Sequence, residues 1–354
     1  MKILFCDFLF ENGNRHVDNL VIDLLAQDND VYLVMNEDFI CREFKNKQNV
    51  HILGNKYKET PSRYRKKIYQ CLRRMFLASR YDRRINADFI YVSVYETMSF
   101  SLGQFFFRNK KRIHIVENNN IDFLQFKLYR TAYKTFANKV HHIVYEGLFK
   151  DYLCNMMGVK SDLVHVVPHV QYRSEYSVDN SVIDTECFFD CIAISGSNDD
   201  SLIQELIEFE ENNQVFEKNH IRVLIKSHTI TYETPYLTVS CDYLPIKRYN
   251  MLFKQCKVVY APFPLTYKYR MSGCYVDAFS NHRPVVATNI ELAKYYHKRY
   301  GNIIKPCSSI RESVDEIIYF CNNNVRQDFD LFEKEHSIEE VNKALKETTN
   351  VYSI

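Results

Sequence analysis

Residues 270–289, RMSGCYVDAFSNHRPVVATN, combine a glycine and a carboxylate with a buried-looking strand, PVVAT. Gly273 lacks a side chain, so a diphosphate can approach the amides at the start of a helix here. Asp277, one turn later, offers the paired oxygens that two neighbouring ribose hydroxyls need as acceptors. Because ligands of open α/β sheets collect at the carboxyl ends of strands, the segment predicts a nucleotide site that also includes Arg270 and Ser272.

The first half of the chain offers a second set of polar residues at strand ends. Gly13, Asn14 and Arg15 follow the first predicted strand. Glu117 and Asn118 follow the strand RIHIV, and we expect both side chains to lie at its exposed carboxyl end, where they would contact a ligand. His114 alternates to the other side of that strand and is interpreted as a packed histidine.

The elements that must position these residues are short apolar strands alternating with amphipathic helices, a pattern typical of parallel α/β sheets. The strands predicted in the first half are 2–7, 31–35, 50–53, 89–94, 112–117, 140–145 and 163–167. A second series begins with CIAIS at residue 191. The pattern predicts a domain over 1–170, a linker over 171–187, a second domain over 188–335 and a final helical segment over 336–354.

Composition excludes several classes of protein. Hydrophobic residues at 46% and charged residues at 25% are typical of a globular chain, and the net charge of +2 gives no general case for nucleic acid. None of the eleven cysteines forms a Cys-x-x-Cys pair. The pair Asp28-Asn29-Asp30 separates a helix from a strand start, so it is interpreted as a turn and no metal is expected. The start KILFCDF resembles no leader, and we expect a cytoplasmic protein.

Four segments resemble family-4 glycosyltransferases, in the order in which that family has them. ENGNRHVDNLVIDLLAQDNDVYLV is similar to their first βαβ unit, and LVHVVPHVQY to the segment that ends their first domain. CDYLPIKRYNMLFKQCKVVYAPF and residues 270–289 resemble their donor-binding region. The resemblance implies a GT-B fold with two Rossmann-like domains facing across a cleft and a C-terminal helix that crosses back to the first domain. It also implies metal-independent sugar transfer, with the nucleotide-sugar as co-substrate and no cofactor.

The sequence departs from the family at two places. Tyr269 stands where the family has a second Glu, and the loop SGSNDDS, which contains Gly196, has Asp199 and Asp200 where the family has Arg and Lys. A departing nucleoside diphosphate needs cations or N–H donors. We therefore predict that Lys226 in LIKSH supplies the positive charge, with His228 and Gly196 beside it in the donor site. Lys226, Glu117 and Asn118 are the predicted catalytic residues, and Glu117 and Asn118 would contact the sugar or the acceptor.

The departures keep two alternatives open. A GT-B protein without the Arg/Lys pair and the second Glu can be a catalytically inactive partner or scaffold. The KSH element is similar to the basic or His-Pro loop of GT-B enzymes that transfer glycerol or sialyl groups from cytidine nucleotides, although Thr229 replaces the proline. The leading hypothesis is a hexosyltransferase-like enzyme of polysaccharide or glycoconjugate synthesis.

Residues 56–84 form a strongly basic stretch, with eleven Lys or Arg against two acidic residues. A basic helix with an apolar stripe is typical of a membrane-surface element. We predict contact with anionic lipid at the inner face of the plasma membrane and a glycan or lipid-linked acceptor, and no nucleic acid. The predicted membrane-surface residues are Arg65, Lys66, Lys67, Arg73 and Arg74; the competing interpretation is a core helix with a solvated basic face.

Overall fold

The structure is a computed structural model that describes residues 1–9, 15–40, 44, 46–53, 64–171, 188–323 and 327–350, with only the backbone of residues 15, 16, 39, 64–66 and 350. It divides into two compact units. The N-terminal unit comprises residues 1–170 and 338–354, and the C-terminal unit comprises residues 171–337. The predicted linker, apart from residue 171, lies outside the described residues.

The N-terminal unit is built on a seven-stranded parallel sheet in the order β3-β2-β1-β4-β5-β6-β7. Its strands are β1 Lys2–Asp7, β2 Asp30–Val34, β3 Val50–Ile52, β4 Phe89–Val94, β5 Ile113–Val116, β6 His141–Val144 and β7 Val164–Val166. Its helices before the final one are α1 Arg15–Leu25, α2 Tyr64–Ile85, α3 Thr97–Gly103, α4 Asn120–Phe123, α5 Lys127–Lys134 and α6 Gly147–Asp151. The strands β1, β4, β5 and β6 are buried almost throughout, as parallel strands covered on both faces must be.

The C-terminal unit repeats this architecture with the sheet order β10-β11-β9-β8-β12-β13-β14. Its strands are β8 Cys191–Ala193, β9 Val223–Lys226, β10 Tyr232–Glu233, β11 Leu237–Ser240, β12 Val258–Ala261, β13 Val285–Thr288 and β14 Ile304–Cys307. Its helices are α7 Asp200–Asn213, α8 Val215–Asn219, α9 Ile246–Gln255, α10 Gly273–Ser280, α11 Glu291–Tyr300, α12 Ile310–Asn322 and α13 Asp330–Glu335. Apart from the antiparallel β10, the described strands pair in parallel.

The final helix, α14 (Ile338–Asn350), belongs to the N-terminal unit. It packs near β7, Asn342 donates a hydrogen bond to Gln27 over 3.2 Å, and Lys346 pairs with Asp28 at 2.8 Å. The predicted return of the C-terminal helix to the first domain is therefore confirmed. So are the two Rossmann-like sheets, because in each unit the strand order reverses beside the first strand of that unit.

Candidate functional site

The carboxyl ends of β9, β8 and β12 are neighbours in the C-terminal unit, and one loop joins them. The Asn198 side-chain amide donates to the carbonyls of Ala193 at 2.7 Å and Lys226 at 2.8 Å. The backbone amide of Asp199 donates to the carbonyl of Pro262 over 2.8 Å. The loop after β8 therefore holds the ends of three strands together at the edge where α/β proteins bind ligands.

The two acidic residues of this loop have structural partners. Asp199 caps α7, because its carboxylate accepts a hydrogen bond from the Ser201 amide over 2.9 Å. Asp200 accepts from the backbone amides of His228 and Thr229, each at 3.0 Å, and from the hydroxyls of Ser227 at 2.8 Å and Thr229 at 2.7 Å. Partial desolvation acts to raise the pKa of Asp200, but these hydrogen bonds outweigh it, and the pKa is lowered. The acidic loop thus fixes the segment after β9.

Lys226 and His228 lie on that fixed segment. Lys226 is half-buried at the end of β9, with Nζ 6.0 Å from the ring centroid of Tyr243, which is 82% exposed. The His228 side chain is exposed. The backbone on both sides is held by Asn198 and Asp200, so these two basic side chains project from a defined position.

The start of α10 is open, as the glycine at its first position suggests. Ser272 caps the helix by accepting from the Tyr275 amide over 3.3 Å. A Cβ added to Gly273 or to Gly196 would meet no other atom within 4 Å, so both glycines face free space. The Arg270 guanidinium lies 4.3 Å from the ring centroid of Tyr267, which orients a cation close to the helix start.

Asp277 pairs with a residue that the sequence analysis did not select. The Tyr249 hydroxyl, on α9, donates to Oδ2 of Asp277 over 2.7 Å. Burial raises the pKa of Asp277 to about 6, and the tyrosine hydrogen bond offsets part of that shift. Asp277 is only partly accessible, and within the described residues Tyr249 is its sole side-chain donor. Tyr249 lies beside the apolar stripe of α9, and nothing in its spacing distinguishes it from a core residue.

Glu117 is not an exposed carboxylate at a strand end, so that prediction is wrong. Its side chain is inaccessible to solvent, and three groups contact its two oxygens: Tyr95 Oη at 2.8 Å, Tyr133 Oη at 3.0 Å and His142 Nδ1 at 2.8 Å. The other ring nitrogen of His142 donates to the Ala137 carbonyl over 2.8 Å. Tyr133 Oη also lies 3.0 Å from His142 Nδ1, so Glu117, Tyr133 and His142 form one buried hydrogen-bond network.

The structure describes Asn118 completely and the loop at 13–15 only in part. Asn118 remains partly exposed, and its amide lies 3.5 Å from the Ser93 carbonyl. Gly13 and Asn14 lie outside the described residues, and of Arg15 the structure gives the backbone, which begins α1. A contact of these residues with an acceptor stays a prediction.

Two further buried carboxylates lie in the N-terminal unit, and the sequence pattern did not reveal them. Asp7 and Asp18 are 1% and 4% exposed. Asp7 accepts from the Leu9 amide over 2.8 Å, and Asp18 accepts from the Ser93 hydroxyl over 3.3 Å. Burial, followed by the charge of Asp7, raises the pKa of Asp18 well above its usual range. An aspartate directly after an apolar strand, as in FCDF, was the available signal.

His114 is packed, as predicted, and belongs to a histidine cluster. Its ring stacks on Phe89 at 4.2 Å and on His141 at 4.4 Å between centroids, and His141 Nδ1 lies 2.8 Å from His165 Nε2. Ligand atoms of these three histidines lie within 4.8 Å of one another, the one such potential metal-binding group found among the described residues. The parallel stacking of His114 on His141 does not let both rings point their lone pairs at a common ion.

The five residues of α2 that were predicted to contact a membrane differ in their exposure to solvent. Arg74 is 7% exposed and donates to the Phe8 carbonyl over 2.9 Å, so its assignment to the surface is wrong. Arg73 is exposed and Lys67 is half-buried, while the side chains of Arg65 and Lys66 are outside the described set. No helix in the described part of the chain combines the length and apolar character that crossing a bilayer requires.

The chain resembles solved structures along its whole length. No protein-family model and no curated protein matches the sequence. Its fold is similar to that of HepE from Anabaena, solved with UDP and glucose (TM-score 0.64, 11% identity, 98% of this chain and 99% of that chain covered). It is also similar to UGT89C1 of Arabidopsis thaliana, solved with quercetin (TM-score 0.65, 9% identity, 100% and 99% covered), and to UDP-GlcNAc 2-epimerase of Methanocaldococcus jannaschii (TM-score 0.62, 12% identity, 98% and 100% covered). This likeness establishes the fold: the predicted GT-B fold is confirmed.

Proposed function

We propose that this protein is a glycosyltransferase that takes a sugar from a nucleotide-sugar donor bound by the C-terminal unit. The observation that carries the proposal is the open start of α10 beside the partly accessible Asp277. The start of α10 at Gly273 is open enough for a diphosphate to approach the first helix amides, and the Asp277 carboxylate keeps acceptor capacity for ribose hydroxyls beyond the Tyr249 hydrogen bond. The glycosyltransferase-like folds solved with UDP support the same assignment.

Positive charge for the leaving diphosphate is assigned to Lys226, with Arg270 and His228 in the donor site. The two acidic residues in the adjacent loop do not argue against this role, because Asp199 and Asp200 are used by α7 and by the segment 227–229. A preorganised cation on a fixed backbone is what stabilisation of a departing diphosphate requires.

The acceptor is proposed to contact the N-terminal unit through Asn118 and the loop at 13–15. Glu117, enclosed by Tyr95, Tyr133 and His142, is assigned as a positioning residue that holds the end of β5 rather than as a group that touches substrate. The proposed acceptor is a glycan or a lipid-linked sugar in polysaccharide or glycoconjugate synthesis.

The test is calorimetric titration with UDP, GDP, CDP, CMP and their sugars. We expect one nucleoside diphosphate to bind, and Asp277→Asn to weaken it about tenfold to a hundredfold, since a hydrogen bond to a charged group contributes about 1.5 to 3 kcal/mol. Asp315→Asn, on the exposed face of α12 in the same unit, is the matched control and should bind as the wild type does. Equal binding by both variants would contradict the Asp277 assignment.

A second candidate function is epimerisation of the donor sugar, because three of the similar structures are UDP-GlcNAc 2-epimerases. Incubation with the bound nucleotide-sugar separates the candidates. Release of the nucleoside diphosphate in the presence of acceptor glycans supports transfer. A changed sugar on an intact nucleotide supports epimerisation, and binding with neither product supports a catalytically inactive partner protein.

A further inference from the structure

The exposed side of α2, the end of α3 and the turn after α3 carry large apolar side chains that remain exposed. Tyr69 and Phe76 on α2 are 68% and 47% exposed, and Leu102 in α3 and Phe105 in the turn are 60% and 68% exposed. Contiguous exposed apolar side chains mark protein or membrane interaction sites, whereas scattered ones are normal on a monomer.

Packing contacts bring α2 and the turn after α3 side by side. Phe76 packs edge-on against Phe106 with ring centroids 5.5 Å apart. The two helices approach closely, since a Cβ on Gly103 would lie 2.5 Å from the Met75 sulfur. We call the exposed apolar residues of these neighbouring segments the aromatic face: Tyr69, Phe76, Leu102 and Phe105.

The aromatic face is surrounded by basic residues. Arg73, Arg80 and Arg83 are exposed: Arg73 and Arg80 lie four residues after Tyr69 and Phe76, and Arg83 lies seven residues after Phe76, so they share the same side of α2. The Arg83 guanidinium donates to the Phe106 carbonyl over 3.2 Å, and Lys110 Nζ lies 5.5 Å from the Phe105 ring centroid.

Acidic residues are almost absent from the sequence of α2, of α3 and of the segment that follows α3. Residues 64–87 and 97–112 contain twelve Lys or Arg and one acidic residue, Asp82. Asp82 is 4% exposed and pairs with Arg112 at 3.2 Å, so it does not offset the surface charge. A second copy of this chain would bring like charges together, which disfavours self-association through this face.

We propose that the aromatic face docks onto an anionic lipid surface, with its rings in the headgroup region and its arginines on lipid phosphates. Aromatic and aliphatic side chains flanked by Arg are the composition that binds an anionic interface without crossing it. The inference deepens the proposed function by naming the partner of the acceptor side, but its test does not depend on sugar transfer. It also replaces Arg74 with Arg80 and Arg83 as charged contacts.

The experiment is flotation of the full chain with phosphatidylcholine vesicles, with and without phosphatidylglycerol. We expect binding to the anionic vesicles. Arg80→Gln with Arg83→Gln should weaken it about thirtyfold, since each basic residue near the surface contributes about 1 kcal/mol. Phe76→Ser with Phe105→Ser should weaken it about tenfold or more, because partial burial of each ring is lost.

The matched controls lie on the C-terminal unit. Tyr243→Ser with Leu265→Ser removes two large side chains that are 82% and 66% exposed, and Lys218→Gln with Lys298→Gln removes two exposed charges. Both controls should bind vesicles as the wild type does, and circular dichroism should show that every variant folds.

Three outcomes would overturn the proposal: no binding to anionic vesicles, equal binding to neutral ones, or equal loss in the controls. Binding to single-stranded RNA without binding to vesicles would overturn it in favour of a nucleic-acid surface. Failure here is distinguishable from failure of the proposed function, because Asp277→Asn should leave vesicle binding unchanged and the aromatic-face variants should keep nucleotide binding.

Discussion

Glu117 and Asp277 are both poorly accessible carboxylates, one in each Rossmann-like unit, yet their surroundings differ. The carboxylate oxygens of Glu117 are buried and contact two tyrosine hydroxyls and one histidine nitrogen. Asp277 has one described donor, Tyr249, and keeps a path to solvent. A carboxylate can accept about four hydrogen bonds, so Asp277 retains capacity that Glu117 has used.

The difference teaches that burial alone does not mark a functional carboxylate. A buried carboxylate that is fully hydrogen-bonded to the protein is costly to disturb, because removal of one partner leaves the other buried without compensation. A carboxylate that is buried, incompletely hydrogen-bonded and still accessible pays a desolvation cost in the free protein, and a ligand with hydroxyl donors can offset that cost.

The largest effect should follow from breaking the Glu117 network. Glu117→Ala leaves His142 buried without its carboxylate, and we expect the free energy of unfolding to fall by about 3 to 5 kcal/mol. Urea denaturation of the N-terminal unit in the full chain measures this loss. Asp277→Asn should cost nothing or stabilise the protein, since it removes a desolvated charge and keeps an oxygen for Tyr249.

Two further variants sharpen that result. His142→Ala should destabilise about as much as Glu117→Ala, and the double variant should lose less than the sum of the two. Glu205→Ala, an exposed helix carboxylate, should change stability little. A loss below about 1 kcal/mol for Glu117→Ala would mean that the pair contributes no more than a surface ion pair.

Acidification should change the stability of the two units in opposite directions. Burial, then neighbouring histidines, lowers the pKa of His141 to about 4, and the pKa values of His114 and His165 are also lowered. Below pH 6.5 the unfolded chain gains these protons while the folded unit does not, so the three histidines make the N-terminal unit less stable as the pH falls towards about 4. Asp18 in the same unit opposes part of this loss, because its pKa is raised well above its usual range. Asp277 has the opposite sign: its pKa of about 6 exceeds the unfolded value, so the C-terminal unit gains stability over that range.

Hydrogen exchange read by mass spectrometry at pH 7 and pH 5 reports each unit separately, once corrected for intrinsic exchange. We expect protection of β5 and β6 to fall at pH 5 and protection of α9 and α10 to hold or rise. His141→Phe should abolish part of the first change, and Asp277→Asn should abolish the second. Nucleotide affinity should fall about tenfold between pH 7 and pH 5, because the ribose acceptor becomes protonated. The same pH response in both units would contradict the sign assigned to either group.

Much of the fold followed from the sequence. Strands at 2–7 and 89–94 were predicted with the bounds that the structure has, and the final helix, predicted within 336–354, runs from Ile338 to Asn350. These elements are predictable because apolar periodicity reports burial on one face of a helix or both faces of a strand.

The site followed less completely, because hydrogen-bond partners distant in sequence leave no local pattern. Glu117 was expected to be exposed, although Tyr95, Tyr133 and His142 enclose it from three other elements. The acidic loop at 199–200 was interpreted as a departure that opposed donor binding, although Asp200 is bound to residues 27 to 29 positions later. Gly273 and Asp277 were selected because glycine and carboxylate spacing within one helix is local.

The smallest effect concerns Asp200, which in the C-terminal unit is as fully hydrogen-bonded as Glu117 but partly exposed. In Asp200→Asn one oxygen becomes an NH2 group that cannot accept from the Thr229 amide and hydroxyl. Each lost hydrogen bond contributes about 1 kcal/mol, so we expect amide exchange at His228 and Thr229 to accelerate about fivefold or more. Asp199→Asn is the control, since Asn caps a helix as well as Asp does. If Lys226 depends on this segment, nucleotide affinity should fall severalfold in Asp200→Asn and not in Asp199→Asn; equal affinity would show that the position of Lys226 is set by Asn198 alone.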